Sequence, residues 1–185
     1  MERAELAREL FRVAYRRGDF QLRSGHRSHE YVDKYQFEAV PQLLQALGQE
    51  LARLLPAETE VLAGMELGGI PLAVATAFAS GLPCVFVRKE PKPYGTRRQT
   101  EGTDVTGRRV VLLEDVVTTG GQALAAVEVL RREGADVRAV LCVVDRQQGA
   151  AERLRALGIP FRALFTLAEL KSYADLTSEE SGRES

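Results

Sequence analysis

Apolar and polar positions follow two distinct periods along this chain, and glycines mark most of the changes. Leu6, Leu10, Val13 and Ala14 recur at helical spacing, which predicts an amphipathic helix over about residues 3–17 that stops at Gly18. "DFQLRSGHRSHEYVDKYQF" has no helical period and reads as short strands around a turn at Ser24-Gly25. Residues 41–55 are helical again, with Pro41 suited to a first turn. Beyond them the pattern alternates. "EVLAGM", "PCVFVRK", "RRVVLLED", "DVRAVLCVVDR" and "PFRALFTL" read as strands. "GGIPLAVATAFASG", "GQALAAVEVLRREG" and "GAAERLRALG" read as helices, the first stopping at Gly81 and the second at Gly134. Such alternation, with strands apolar throughout, predicts an α/β fold: a mostly parallel central sheet covered by helices on both faces. Ligands of these sheets bind beyond the carboxyl ends of the strands.

One segment fits neither period. "RKEPKPYGTRRQTEGTDVTG", Arg88 to Gly107, holds two prolines, three glycines and almost no apolar residue. A loop this long in a compact domain is usually a functional lid or disordered. It carries Arg88, Lys89, Lys92, Arg97 and Arg98, and the prolines and glycines around them favour a lid over a solvated charge run. At the other end "TSEESGRES" is polar, so the expected division is one domain over 1–175 and a disordered tail over 176–185.

Composition narrows the classes. The 185 residues fit one domain with a real core, and the net charge of −1 gives no reason to expect a nucleic-acid or membrane-surface partner. No apolar run approaches the ~20 residues of a membrane span, and "MERAELAREL" does not read as a signal peptide. The cytoplasm is the expected compartment. Cys84 and Cys142 each sit in an apolar run and read as buried, reduced thiols without metal-ligand spacing. His26 and His29 read as exposed turn histidines, and Lys34 as a structural or surface charge.

The chemistry concentrates in "VVLLEDVVTTGGQAL", a strand, a turn and a helix start. Thr118, Thr119, Gly120 and Gly121 put hydroxyls and free backbone N–H groups at a helix N-terminus, where orphan donors and the helix dipole favour a phosphate. Glu114 and Asp115 come one step earlier and could accept hydrogen bonds from vicinal hydroxyls. Phosphate on one side and a diol on the other describe a phosphoribosyl group. Acids that merely meet solvent, behind a threonine N-cap, are the simpler alternative. No Gly-Lys-Ser/Thr follows, so this is not a Walker-type loop, and no G-x-G-x-x-G supports a Rossmann oxidoreductase.

This stretch resembles the phosphoribosyl-diphosphate motif of type I phosphoribosyltransferases. Three other segments resemble the orotate phosphoribosyltransferases within that family: "FQLRSGHRSHEYVDKY", "VRKEPKPYGTRRQTEG", similar to their mobile catalytic loop, and "VVDRQQGA". Two positions depart from the pattern. Tyr94 stands where many members have a loop histidine, and Leu67-Gly68 where some have Tyr-Lys, so contacts to diphosphate there must come from backbone or from elsewhere.

The resemblance implies the type I fold with a small N-terminal hood over about 1–38 and a mobile loop over about 88–102. It implies transfer of ribose 5-phosphate from 5-phosphoribosyl 1-diphosphate to N1 of orotate, with Mg2+ held mainly by substrate and waters and Asp115 the candidate protein contact. Arg88, Lys89 and Lys92 are then catalytic cations, joined in diphosphate binding by Tyr94. Glu114, Asp115, Val116, Val117, Thr118, Thr119, Gly120, Gly121 and Gln122 complete the sugar-phosphate site. Arg146, Thr118, Arg23 and Tyr31 are the candidates for the base, since orotate's carboxylate calls for a cation. A homodimer with loop residues shared between subunits is also implied. Purine or uracil phosphoribosyltransferase remains open, as does a regulator that senses phosphoribosyl diphosphate.

Overall fold

Five of the apolar runs become five mutually parallel strands. The computed structural model describes residues 1–21, 25, 27–91 and 98–181, with side chains described as far as residue 175. Arg23, His26, Lys92, Tyr94 and Arg97 lie outside the described residues. Strands β3 (Val61–Met65), β4 (Cys84–Val87), β5 (Thr100–Gly102), β6 (Arg109–Val117), β7 (Asp136–Asp145) and β8 (Phe161–Thr166) form one sheet in the order β5-β4-β3-β6-β7-β8. Only β5 runs antiparallel to its neighbour.

Each strand feeds a different core from each face, as the period of two requires. Leu62, Val111, Leu113 and Leu141 pack under α1 (Arg3–Ala14), α3 (Pro41–Leu54) and α4 (Gly69–Ser80). Val61, Ala63, Val110, Leu112 and Val140 pack under α5 (Gly121–Arg132) and α6 (Ala150–Ala156). Both faces are covered, which is why these strands read as continuous apolar runs.

The N-terminal segment builds a separate antiparallel hairpin from β1 (Tyr15–Gln21) and β2 (Arg27–Val32). Helix α1 ends at Ala14, not near 17. Tyr15 already takes extended backbone and pairs with Val32, so Gly18 falls inside β1. The chain from β2 enters a one-turn helix, α2 (Lys34–Glu38), before α3. At the far end α7 (Leu167–Ser181) packs against α1 and carries helix into the segment expected to be a structureless tail. Both cysteines are free; Cys142 is buried as expected, but Cys84 is only half-buried.

Candidate active site

Strands β3, β6 and β7 end beside one another, and a cavity of about 570 Å³ opens beyond their carboxyl ends. Met65 closes one strand, Val117 the next, and Arg146 follows the third; all three line the cavity. The nine consecutive residues from Glu114 to Gln122 that the sequence singles out line it without a gap. Lys89, Tyr31 and Arg146 line it too.

The turn after β6 has the geometry of an anion site. Gly120 is the N-cap of α5 and holds φ +80°, a left-handed conformation that glycine adopts at no steric cost. A Cβ there would also sit 3.2 Å from the Cβ of Ala150. No side chain caps this helix, and its first backbone bond runs from Leu124 N to Gly120 O at 2.9 Å. The earlier N–H groups therefore remain available at the positive end of the helix dipole. The threonines do not act as N-caps, which removes the simpler alternative for this turn.

The two acids are not solvated. Asp115 is 1% exposed and Glu114 is 8% exposed. The Lys34 ammonium lies 2.7 Å from Asp115 Oδ2. A Cβ placed on Gly68 would lie 1.8 Å from Asp115 Oδ2 and 2.6 Å from Glu38 Oε1, so both carboxylates converge on a position with no side chain of its own. Burial, reinforced by Asp115, pushes the Glu114 carboxyl up to about 8. Glu38 is raised for the same two reasons. Burial pulls the Lys34 ammonium down, but the Asp115 carboxylate outweighs it and the net shift is upward. The result is three crowded acids sharing one close cation.

Lys34 is therefore a cavity residue whose pairing with the buried Asp115 makes it a structural charge and not a surface one. Glu38, Tyr35, Glu66, Gly68 and Gln148 are further neighbours that sequence reasoning missed. Of these, Tyr35, Gly68 and Gln148 lie in segments the sequence flags, while Glu38 and Glu66 do not. Glu66 Oε1 accepts the Lys89 N–H at 2.6 Å and so anchors the start of the cationic loop. Arg88 is not brought to the cavity wall: its N–H donates to Gln99 O at 2.8 Å, and its Nε is buried without a partner among the described residues. Among the described residues no three His, Cys, Asp or Glu side chains gather as a metal cage. No described helix is long and apolar enough to cross a membrane.

Fold and site together define a class, a mostly parallel α/β domain with an uncapped strand–turn–helix opening on its cavity, and the phosphoribosyl transferase domain family matches residues 35–156. An orotate phosphoribosyltransferase of Nocardioides sp. is 46% identical over 167 residues, covering 90% of this chain and 93% of that protein. The crystal structure of Mycobacterium tuberculosis H37Rv orotate phosphoribosyltransferase with Fe(III) dicitrate superposes with a TM-score of 0.82 at 37% identity, covering 91% of this chain and 98% of that one. The same enzyme in complex with 5-phospho-α-D-ribosyl 1-diphosphate gives 0.75 at 36% identity, with the same coverage. The chain belongs to the orotate phosphoribosyltransferase family.

Proposed function

We propose that this chain transfers ribose 5-phosphate from 5-phosphoribosyl 1-diphosphate to N1 of orotate, releasing diphosphate and orotidine 5′-monophosphate in pyrimidine (UMP) biosynthesis. The observation that carries this reading is the meeting, in one cavity, of an uncapped helix N-terminus, two buried acids and the arginine after β7. Amides at the start of α5 take the 5′-phosphate. Glu114 and Asp115 take the ribose hydroxyls. Arg146 reads the carboxylate that distinguishes orotate from uracil and the purines, and Tyr31 and Thr118 flank it.

Bond breaking at the anomeric carbon runs ahead of bond making, so charge grows on the departing diphosphate. Lys89 at the cavity, with Lys92 and Arg88 of the same loop, supplies positive charge to that group. Closure of the loop excludes water, which would otherwise hydrolyse the activated sugar.

Mg2+ is the cofactor this reading implies. The carboxylate oxygens of Glu114 and Asp115 are the hard donors it takes, and Glu114 Oε1 is buried without a hydrogen-bond partner among the described residues. The ion would be carried mainly by substrate oxygens and water, with Asp115 as the protein contact. When bound, it adds positive charge at the diphosphate.

A homodimer fits one surface. Ile70, Val74 and Phe78 follow one another at i, i+4 and i+8 along α4, and Phe78 is 89% exposed. Leu67, 60% exposed, continues this stripe to the cavity mouth between Glu66 and Gly68. A second copy seated there brings its loop cations beside this cavity. The cytoplasm is the compartment this reading expects, since charged phosphate esters do not cross hydrocarbon and stay where they are made.

The deciding experiment is a spectrophotometric assay with 5-phosphoribosyl 1-diphosphate and, in turn, orotate, uracil, hypoxanthine, xanthine and adenine. Consumption of orotate alone is expected. Turnover of another base with orotate inert reassigns the enzyme, and no turnover with any base points to a sensor.

A further inference from the structure

Glu30 lies one residue from Tyr31 on β2 and is held from two sides. Its Oε2 accepts the Tyr15 hydroxyl at 2.9 Å, and the Lys171 ammonium from α7 pairs with the same oxygen. Lys171 Nζ also stands 5.7 Å from the Tyr15 ring centroid, and that ring stacks on Phe11 of α1 at 4.4 Å. The hairpin partner strand and the C-terminal helix thus converge on one carboxylate. Glu30 is also within electrostatic reach of Arg146, which adds to Lys171 and Tyr15 in holding its carboxyl below the ordinary range. Arg146 itself has no ion-pair partner among the described residues, and its Nε is buried unpaired.

We propose that Lys171 is a positioning residue for base recognition: by fixing Glu30 against Tyr15 it keeps that carboxylate from pairing with Arg146 and leaves the guanidinium for the carboxylate of the base. This rests on the reading of Arg146 given above. A guanidinium forms bidentate pairs with any carboxylate in reach. A released Glu30 competes with orotate for the same donors and does not compete with 5-phosphoribosyl 1-diphosphate. The role belongs to the C-terminal helix, which contributes no described residue to the cavity wall.

The test is steady-state kinetics in both substrates for Lys171→Met, Glu30→Gln/Lys171→Met and Arg146→Ala. Methionine keeps an unbranched stem over the Tyr15 ring, and a thermal melt of each variant confirms folding. Lys171→Met is expected to raise the orotate KM about threefold to fivefold, the upper end of what one partly exposed ion pair contributes. The diphosphate KM should stay within about twofold, and the double variant should restore the orotate KM because an amide does not compete as an anion. Equal rises for both substrates, or a defect that persists in the double variant, overturn the proposal. Arg146→Ala separates the two levels. A raised orotate KM there with an unmoved one in Lys171→Met overturns the positioning role alone, whereas an unmoved KM in both overturns the reading of the base site and the proposal with it.

Discussion

Gly68→Ala tests whether the acid cluster is built around an absent side chain. The backbone at Gly68 is right-handed helical, φ −69° and ψ −27°, so alanine meets no conformational barrier and any penalty is steric. Its methyl carbon would lie 1.8 Å from Asp115 Oδ2, 2.6 Å from Glu38 Oε1 and 2.9 Å from Asp115 Cγ. Ordinary contact begins at 3.4 Å, so Oδ2 must retreat by about 1.6 Å, the difference between 3.4 and 1.8. Asp115 is 1% exposed and its other oxygen accepts the Val116 N–H, which leaves little room for retreat. The 2.7 Å pair with Lys34 does not survive that displacement. Overpacking of this kind costs about 1–3 kcal/mol. For a domain of this size that corresponds to a fall in melting temperature of roughly 3–10 °C. The larger effect is on binding: a displaced Asp115 loses charge-assisted hydrogen bonds to the ribose, so the KM for 5-phosphoribosyl 1-diphosphate should rise by about tenfold or more. Differential scanning fluorimetry and kinetics in both substrates measure the two effects. A variant melting within about 1 °C of the parent, with an unchanged diphosphate KM, refutes the packing argument.

Three further outcomes are expected. Glu38 has its folded pKa raised above the ordinary 4.5, so its native protonation favours folding least where the unfolded carboxyl would be charged. Its contribution is intact below pH 4.5 and is lost as pH rises toward the raised folded value; Glu38→Gln should gain stability relative to the parent across that window, and parallel melting curves from pH 4 to 8 would refute it. Lys89→Ala should lower kcat by on the order of a hundredfold with little change in melting temperature, as loss of one transition-state donor does; a near-normal rate removes Lys89 from the chemistry. Phe78→Asp should convert a dimer to a monomer in light scattering, and an intact dimer would move the interface off α4.

The parts of this site legible in the sequence are those that lie contiguous along the chain. Glu114 to Gln122 form one strand–turn–helix, and local rules for glycines, helix starts and buried acids suffice to read it. The place of Lys34 is not legible that way, because it depends on a partner, Asp115, that only the fold brings near. Glu38 reads as an ordinary helix-end acid until Gly68 and Asp115 surround it. Arg88 depends on the fold in the same way: the ladder with Gln99 holds its backbone outside this chain's cavity wall, which its place in a cationic loop does not reveal. Among the elements, β5 escaped notice because "TEG" has no apolar content and pairs only along one edge. One-turn α2 is too short to show a period, and α1 ran long because the apolar spacing does not register that Tyr15 is taken up by the hairpin.

The pairing of β4 with β5 has a consequence for how this enzyme can be altered. Val87 faces Thr100 on one rung, and just above it Arg88 N donates to Gln99 O at 2.8 Å while the Gln99 amide reaches back to the carbonyls of Arg88 and Lys89. The cationic segment therefore departs from and returns to a single clamp, as a cassette does in its slot. The entropy of closing such a segment grows only slowly with its length. Stretches of different length and charge can be grafted between those two ends while the sheet beneath keeps its register, so the segment can be exchanged without rebuilding the strands that carry the cavity.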